Sequence, residues 1–227
     1  MKKILTIALL LIAINAQGQG LPVAANATLA SLFPDENLRR VVAEVLGPNA
    51  GLTGQRLSDE LARVEKISAF GDSYSNQRRV ENANGIEYLT GLTELWLWLD
   101  CLSSININTL VNLEVLQIAG NELISIDLSN NVNLALINIA SNRLTTIDVS
   151  NNTNLRWLVI ANNPLITLKL GNNINLEGLD ISHTYITNLD VSSLINLKYL
   201  EIKGTELVVQ NIVGLRDSTI LNGMYEQ

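Results

Sequence analysis

The sequence predicts an α/β solenoid: a chain coiled into stacked rungs with one short strand in each, closed at its N-terminal end by helices. Three observations predict it. The pair Asn-Leu recurs at Asn112-Leu113, Asn133-Leu134, Asn154-Leu155, Asn175-Leu176 and Asn196-Leu197, always 21 residues on. After each Leu, two apolar residues follow in alternation with polar or small ones, Leu116 and Ile118, Ile137 and Ile139, Leu158 and Ile160, Leu179 and Ile181, Leu200 and Ile202, which is the period of a strand. Between Pro34 and Gly47 the period changes to that of a helix. No single rung of this length buries its own apolar face, so neighbours must stack into a continuous core whose open end needs a cover of another kind.

Each rung continues alike. A polar residue stands at Asn121, Asn142, Asn163, Thr184 and Thr205, an apolar one two positions later at Leu123, Leu144, Leu165, Ile186 and Leu207, and another at Ile126, Ile147, Leu168 and Leu189. An Asn amide carries two donors and an acceptor, enough to satisfy backbone groups left over in a tight turn. The written pattern, Leu-x-x-Leu-x-Ile-x-x-Asn-x-Leu, resembles the leucine-rich-repeat family. The resemblance implies a right-handed superhelix of 21-residue rungs, with short parallel strands on a concave face and a strand-to-loop turn held by a ladder of buried Asn, here Asn121, Asn142 and Asn163. Thr184 and Thr205 replace Asn in the last rungs and Asp100 does so in the first, so looser turns are expected at both ends.

Ahead of the repeats, residues 1–18 read as a secretory leader: Lys2-Lys3, an apolar run from Ile4 to Ile14, then Ala16 and Gly18 before a cleavage site near Gln19. The run is well short of the roughly 20 residues of a membrane-spanning helix. No Cys closes the leader, which argues against a lipid anchor, and its compactness has a bacterial look. The expected localisation is secreted, cell surface or periplasm. Residues 19–83 then form a helical cap with an insertion loop, and residues 84–227 the leucine-rich repeats with a degenerate last rung.

In the cap, Leu38, Val41, Val42, Val45 and Leu46 make one apolar stripe, Asp35 and Glu36 stand in the first turn, and Gly47-Pro48 stop the helix. A second short helix is expected from Ser58 through Leu61 and Val64 to about Lys66. The stretch Asn84 to Leu95, NGIEYLTGLTEL, together with the helical cap before it, is similar to the start of the repeats in bacterial internalin-like surface proteins and Bacteroidetes-type secreted leucine-rich-repeat proteins. In those proteins the preceding rung is compact. Here Phe70 to Ala83 reads as an insertion, polar and turn-rich, either a surface loop or a flap beside the binding face. At the other end, Ile212, Val213, Leu215 and Ile220-Leu221 suffice for a last rung, so the tail either closes the core as a strand or precedes further chain.

Composition removes several function classes. The net charge is −7, or −9 once Lys2 and Lys3 leave with the leader, and an acidic chain without a basic stripe suits neither nucleic acid nor an anionic membrane. The single Cys, Cys101, allows no internal disulfide, and its column is polar enough that partial exposure is expected. The only His, His183, falls in a turn where other rungs have Gly120, Ser141, Asn162 and Gly204. One His and one Cys in separate rungs make no transition-metal cluster, and no phosphate loop, nucleophile elbow or zinc-protease motif is present. No cofactor and no catalytic residue is expected. Carboxylate pairs alone could serve a glycosidase, and Asp180 and Glu201, which share a strand column in adjacent rungs, are the one such pair on the expected concave face. The recurring DLSNN, DVSNN, KLGNN and DVSSL at Asp127, Asp148, Lys169 and Asp190 bring two Asp close together, but Lys169 interrupts the column. A hard cation needs six or more oxygens, so no metal site is expected and these residues read as turn chemistry.

Strand alternation decides which side chains leave the core. With Leu95 and Leu97 inward, three columns face solvent. They read Glu94, Val115, Leu136, Trp157, Gly178, Tyr199; then Trp96, Gln117, Asn138, Val159, Asp180, Glu201; then Trp98, Ala119, Ala140, Ala161, Ser182, Lys203. All three Trp of the chain lie there, where stacking has no need of them. The candidate binding residues are therefore Trp96, Trp98, Val115, Leu136, Trp157, Val159, Asp180, Tyr199 and Glu201. The expected function is a non-catalytic, monomeric recognition module for a protein on a cell surface. The alternatives are a glycan-binding, or less readily glycan-cleaving, protein and a self-associating structural component of the envelope.

Overall fold

The computed structural model describes residues 20–70, 79–99, 101–216 and 219–222. The leader lies outside the described residues, as do Asp100 and most of the predicted insertion. Among the described residues three α-helices come first: α1 (Leu29–Leu32), α2 (Glu36–Leu46) and α3 (Gly54–Leu61). Asp35 starts α2 by accepting the amide of Leu38 (2.9 Å), and Gly47, at φ +54°, ends it. Of the predicted stripe, Leu38, Val42 and Leu46 are buried and Val41 is half-buried, while Val45 lies on the shoulder at 51% exposure. This helix covers the end of the repeat core, and one apolar cluster runs without a break from Leu29 to Ile212.

The second helix differs from expectation. It begins at Gly54 and ends at Leu61, and Lys66, read from the sequence as its last residue, instead opens strand β1 (Lys66–Phe70). The reason is the free edge of the next strand, β2 (Glu94–Trp98): Glu65 accepts the amides of Thr93 and Glu94, and β1 runs parallel to β2 along its whole length. A sheet edge outweighs a weak helical period. Lys66 pairs with Glu94, 28 positions on, so this rung is 7 residues longer than the 21-residue ones. The surplus falls in the predicted insertion, after which the chain is tied back to the cap. The second oxygen of Asp35 accepts the amides of Glu81 (2.9 Å) and Asn82 (3.1 Å), and Asn37 donates to the carbonyl of Arg79 (2.9 Å).

The repeats follow as β3 (Val115–Gln117), β4 (Leu136–Asn138), β5 (Thr146–Asp148), β6 (Trp157–Val159), β7 (Thr167–Lys169), β8 (Gly178–Asp180), β9 (Leu189–Asp190), β10 (Tyr199–Glu201), β11 (Ile212–Val213) and β12 (Ile220–Asn222). One parallel sheet contains β1, β2, β3, β4, β6, β8, β10 and β12 in that order. On the return side β5 pairs with β7 and β9 with β11. The tail adds a strand: Leu221 pairs with Leu200 and Ile220 with Tyr199.

Side-chain amides hold the rungs together. Nδ2 of Asn142 donates to the carbonyls of Ile118 in the rung before (3.0 Å) and Ile139 in its own (3.1 Å), and its Oδ1 accepts the amide of Leu123 (3.0 Å). Asn121 and Asn163 repeat the pattern. Thr184 reaches one carbonyl, that of Ile181 in its own rung, because its hydroxyl is too short to span to the rung before. A second ladder runs up the return side through Asn131, Asn152 and Asn173, all fully buried; Asn152 donates to Leu128 (3.1 Å) and Asn131 (2.9 Å), and Asn173 to Val149 (3.1 Å) and Asn152 (2.9 Å). A third, exposed, is formed by the repeating Asn of the Asn-Leu pair: Asn133, Asn154, Asn175 and Asn196 each donate to a carbonyl one rung back.

Just before the first ladder the backbone turns left-handed in the six rungs that carry β2, β3, β4, β6, β8 and β10, at Leu99, Gly120, Ser141, Asn162, His183 and Gly204, with φ between +54° and +73°. That conformation lets the chain leave the strand and present the ladder Asn inward. It also fixes His183 in an exposed turn.

Candidate binding face

The register fixes the columns of the sheet's outer face. Glu94, Val115, Leu136, Trp157, Gly178, Tyr199 and Ile220 are successive partners, as are Trp96, Gln117, Asn138, Val159, Asp180, Glu201 and Asn222. Between them Leu95, Leu116, Ile137, Leu158, Leu179 and Leu200 point into the core at 0–2% exposure. Along β2 the alternation is complete: Leu95 and Leu97 buried, Glu94, Trp96 and Trp98 half-buried on the outside.

The aromatic residues gather in two pairs. At the N-terminal end Trp96 and Trp98 stack with centroids 5.8 Å apart and planes 24° from parallel. Lys66 of β1 places Nζ 5.0 Å from the Trp96 ring centre and 2.6 Å from Glu94, whose carboxylate also accepts the indole N–H of Trp96 at 3.2 Å. An ammonium over a ring and against a carboxylate is thus built into this end of the face. The hydrogen bond from Lys66 and its positive charge hold the Glu94 carboxyl below its ordinary range.

At the C-terminal end Trp157 and Tyr199 stack at 5.8 Å and 22°, though they are two rungs apart. Gly178 makes this possible. A Cβ there would stand 2.2 Å from two atoms of the Trp157 ring, so the indole lies flat over the missing side chain and reaches across to the tyrosine. Trp157 remains 40% and Tyr199 43% exposed. Val115, Leu136 and Val159 lie half-buried between the two pairs. In the third column Ala161 and Ser182 are buried and Ala119 and Ala140 half-buried, leaving a shallow floor beside the rings.

Asp180 and Glu201 are register partners on β8 and β10, both half-buried. Oδ1 of Asp180 accepts the amide (2.9 Å) and hydroxyl (2.5 Å) of Ser182. The same Asp-x-Ser turn recurs on the return side at Asp127, Asp148 and Asp190. There Asp148 offers its second oxygen to Lys169 at 2.6 Å. Lys169 first, then the Ser150 hydroxyl and amide, pull the Asp148 carboxyl from 3.8 to about 2. A depressed carboxylate stabilises the fold above its unfolded pKa and loses that contribution as pH falls through the folded one. The stability gap between the wild type and Asp148→Asn is therefore expected to close as pH falls from 3.8 toward 2, read as melting temperature against pH. Because the pair is exposed, the gap is small and shrinks with salt.

Cys101 is half-buried, with the Arg79 guanidinium 3.4 Å from its sulfur. Sequence reasoning missed Lys66, which was assigned to a helix end, and Gly178, whose role depends on where a ring lies. It also stopped the first column at Tyr199, whereas Ile220 continues it at 51% exposure.

No family model and no curated protein sequence matches the chain. Solved structures do. The functional domain of InlJ from Listeria monocytogenes, which includes a cysteine ladder, aligns at TM-score 0.72 and 26% identity over 82% of this chain and 40% of that one. The chain is an internalin-like leucine-rich-repeat protein in fold. Two further internalins of the same organism agree: inlC2 at TM-score 0.62 and 21% identity, over 90% of this chain and 100% of that one, and inlF at 0.58 and 22%, over 83% and 60%. This internalin-like chain spans less than half of the InlJ domain, and its ladders are Asn rather than Cys. No helix among its described residues is long and apolar enough to cross a membrane.

Proposed function

We propose that this protein is an exported recognition module that binds a protein partner through the strand face of its solenoid. In this reading residues 1–18 direct export and are removed, residues 19–83 cap the stack, and residues 84–227 carry the binding face. One observation carries it: the two stacked aromatic pairs, Trp96–Trp98 and Trp157–Tyr199, stand outside the core, where neither rung stacking nor capping uses them. Three rungs separate Trp96 from Trp157, roughly 14 Å at strand spacing, within one partner's footprint. Aromatic side chains of this size dominate interface energetics. The absence of a catalytic constellation in the sequence suits binding without turnover.

The test is a chain with Trp96, Trp98 and Trp157 replaced by Ala, used as bait against cell-surface protein extracts beside the wild type. The variant is expected to keep its circular dichroism and lose the captured partner. Capture that survives all three substitutions refutes the assignment.

A further inference from the structure

Vertical neighbours on this solenoid carry compensating charges. Glu94 has Lys66 in the adjacent rung; Glu177 lies between Arg156 on one side and Lys198 on the other, and its carboxyl is held low by both; Glu122 has Arg143. The acidic column of the return side, Asp127 above Asp148, is closed by Lys169. The strand face breaks this rule once. Asp180 makes the same Asp-x-Ser turn as Asp148 and uses one oxygen for it, but the residue 21 positions on is Glu201 where Asp148 has Lys169 on its second oxygen. Two carboxylates are thus held on neighbouring strands, about 4.8 Å apart in backbone spacing, and neither forms an ion pair with a described residue. Lys203, in the next column, is exposed and pairs with neither. Like charges so placed repel, a cost that a folded protein retains where function needs it.

The Trp157–Tyr199 pair adjoins these carboxylates. Tyr199 precedes Glu201 by two residues on β10, and the Trp157 ring lies over Gly178, two residues before Asp180 on β8. Aromatic faces beside a carboxylate already hold an ammonium on this same sheet, where Lys66 sits on Trp96 and Glu94. At the N-terminal end the chain supplies its own cation. At the C-terminal end it supplies none among the described residues.

Resting on the recognition reading above, we infer that Asp180, Glu201, Trp157 and Tyr199 form the seat for a basic side chain, arginine or lysine, of the protein partner. A guanidinium suits it best, stacking on a ring while it donates to carboxylates. A hard divalent ion wants six or more oxygens and has no use for rings.

The experiment titrates the whole chain with N-acetyl tetra-arginine amide and, separately, with the uncharged citrulline peptide of the same shape. The readout is the indole N–H resonance of Trp157, assigned by its loss in Trp157→Phe. The arginine peptide is expected to shift it saturably and the citrulline peptide at least tenfold more weakly. Glu201→Gln and Asp180→Asn, the latter keeping the bonds to Ser182, are each expected to weaken the arginine peptide at least tenfold. Glu201→Lys recreates the Asp148–Lys169 arrangement, so it should raise the melting temperature and abolish the shift. Equal response to both peptides, unchanged binding by Glu201→Gln, or the same shift produced by calcium chloride in place of the peptide overturns the seat. Partner capture retained by Glu201→Gln but lost from the triple tryptophan variant overturns the seat and leaves the face standing. Capture retained by both overturns the face, and the seat with it.

Discussion

Asn142→Ala is expected to lower the melting temperature by about 4–8 °C, which corresponds to roughly 2 kcal/mol in a domain of this size. The side chain is 6% exposed and joins two rungs. Its removal strands the amide of Leu123 in the rung before and takes one of two amide donors from the carbonyls of Ile118 and Ile139, which keep Asn121 and Asn163 respectively. Each buried backbone group left unpaired costs on the order of 1–3 kcal/mol, and water entering the vacated turn recovers part of that. The reciprocal change is informative. Thr184→Asn extends the ladder by one step and is expected to raise the melting temperature by a few degrees, since the three rungs before it show that the longer amide fits. A melt unchanged in both variants removes the ladder from the account of stability.

Gly85→Ala is expected to cost about 2–5 kcal/mol and to loosen the cap from the repeats. Gly85 stands at φ +101°, where an L residue is strained by roughly 1–2 kcal/mol. A Cβ there would lie 2.4 Å from the carbonyl oxygen of Leu32 and 2.7 Å from the Phe33 ring. Phe33 is fully buried between the helices and the first rungs, so it yields only by opening that junction, at a further cost of roughly 1–3 kcal/mol. Limited proteolysis is the measurement: cleavage within residues 20–70 should accelerate well before the repeats are cut. Equal rates for wild type and variant would show that this contact does not fasten the cap.

The repeats were legible because every rung rewrites the same positions. Leu116, Ile137, Leu158, Leu179 and Leu200 define the inward side, and alternation then places Trp96, Trp98, Trp157 and Tyr199 outward with no tertiary knowledge. The helix Glu36–Leu46 was legible for the same reason, a stripe longer than two turns with a cap at each end. Lys66 was not. Three residues of helical period after Leu61 weigh less than five parallel pairings with β2, and the pairing partner lies beyond a long insertion that hides the period. Nor was the second ladder. In Asn130-Asn131 and Asn151-Asn152 both residues look like turn formers, and only the packing shows that the second of each pair turns inward while the first stays exposed. The stacking of Trp157 on Tyr199 is invisible to any column reading, because it skips a rung through the space left by Gly178.

The Asn-to-Thr change at position 184 also gives the molecule a seam. At the strand turn every joint from Leu97 to Ile160 is stitched by an amide reaching one rung back; between the rungs of Asn163 and Thr184 that stitch is absent, and the ladder bond left there is the one from the exposed amide of Asn175. A stack whose cohesion comes from nearest neighbours opens first at its weakest joint, so amide exchange should be fastest from β8 onward and slow abruptly at β6. Trp157 belongs to the rung before that seam and Tyr199 to a rung beyond it. Whatever grips both rings closes the seam as it binds and slows exchange in a segment it never touches.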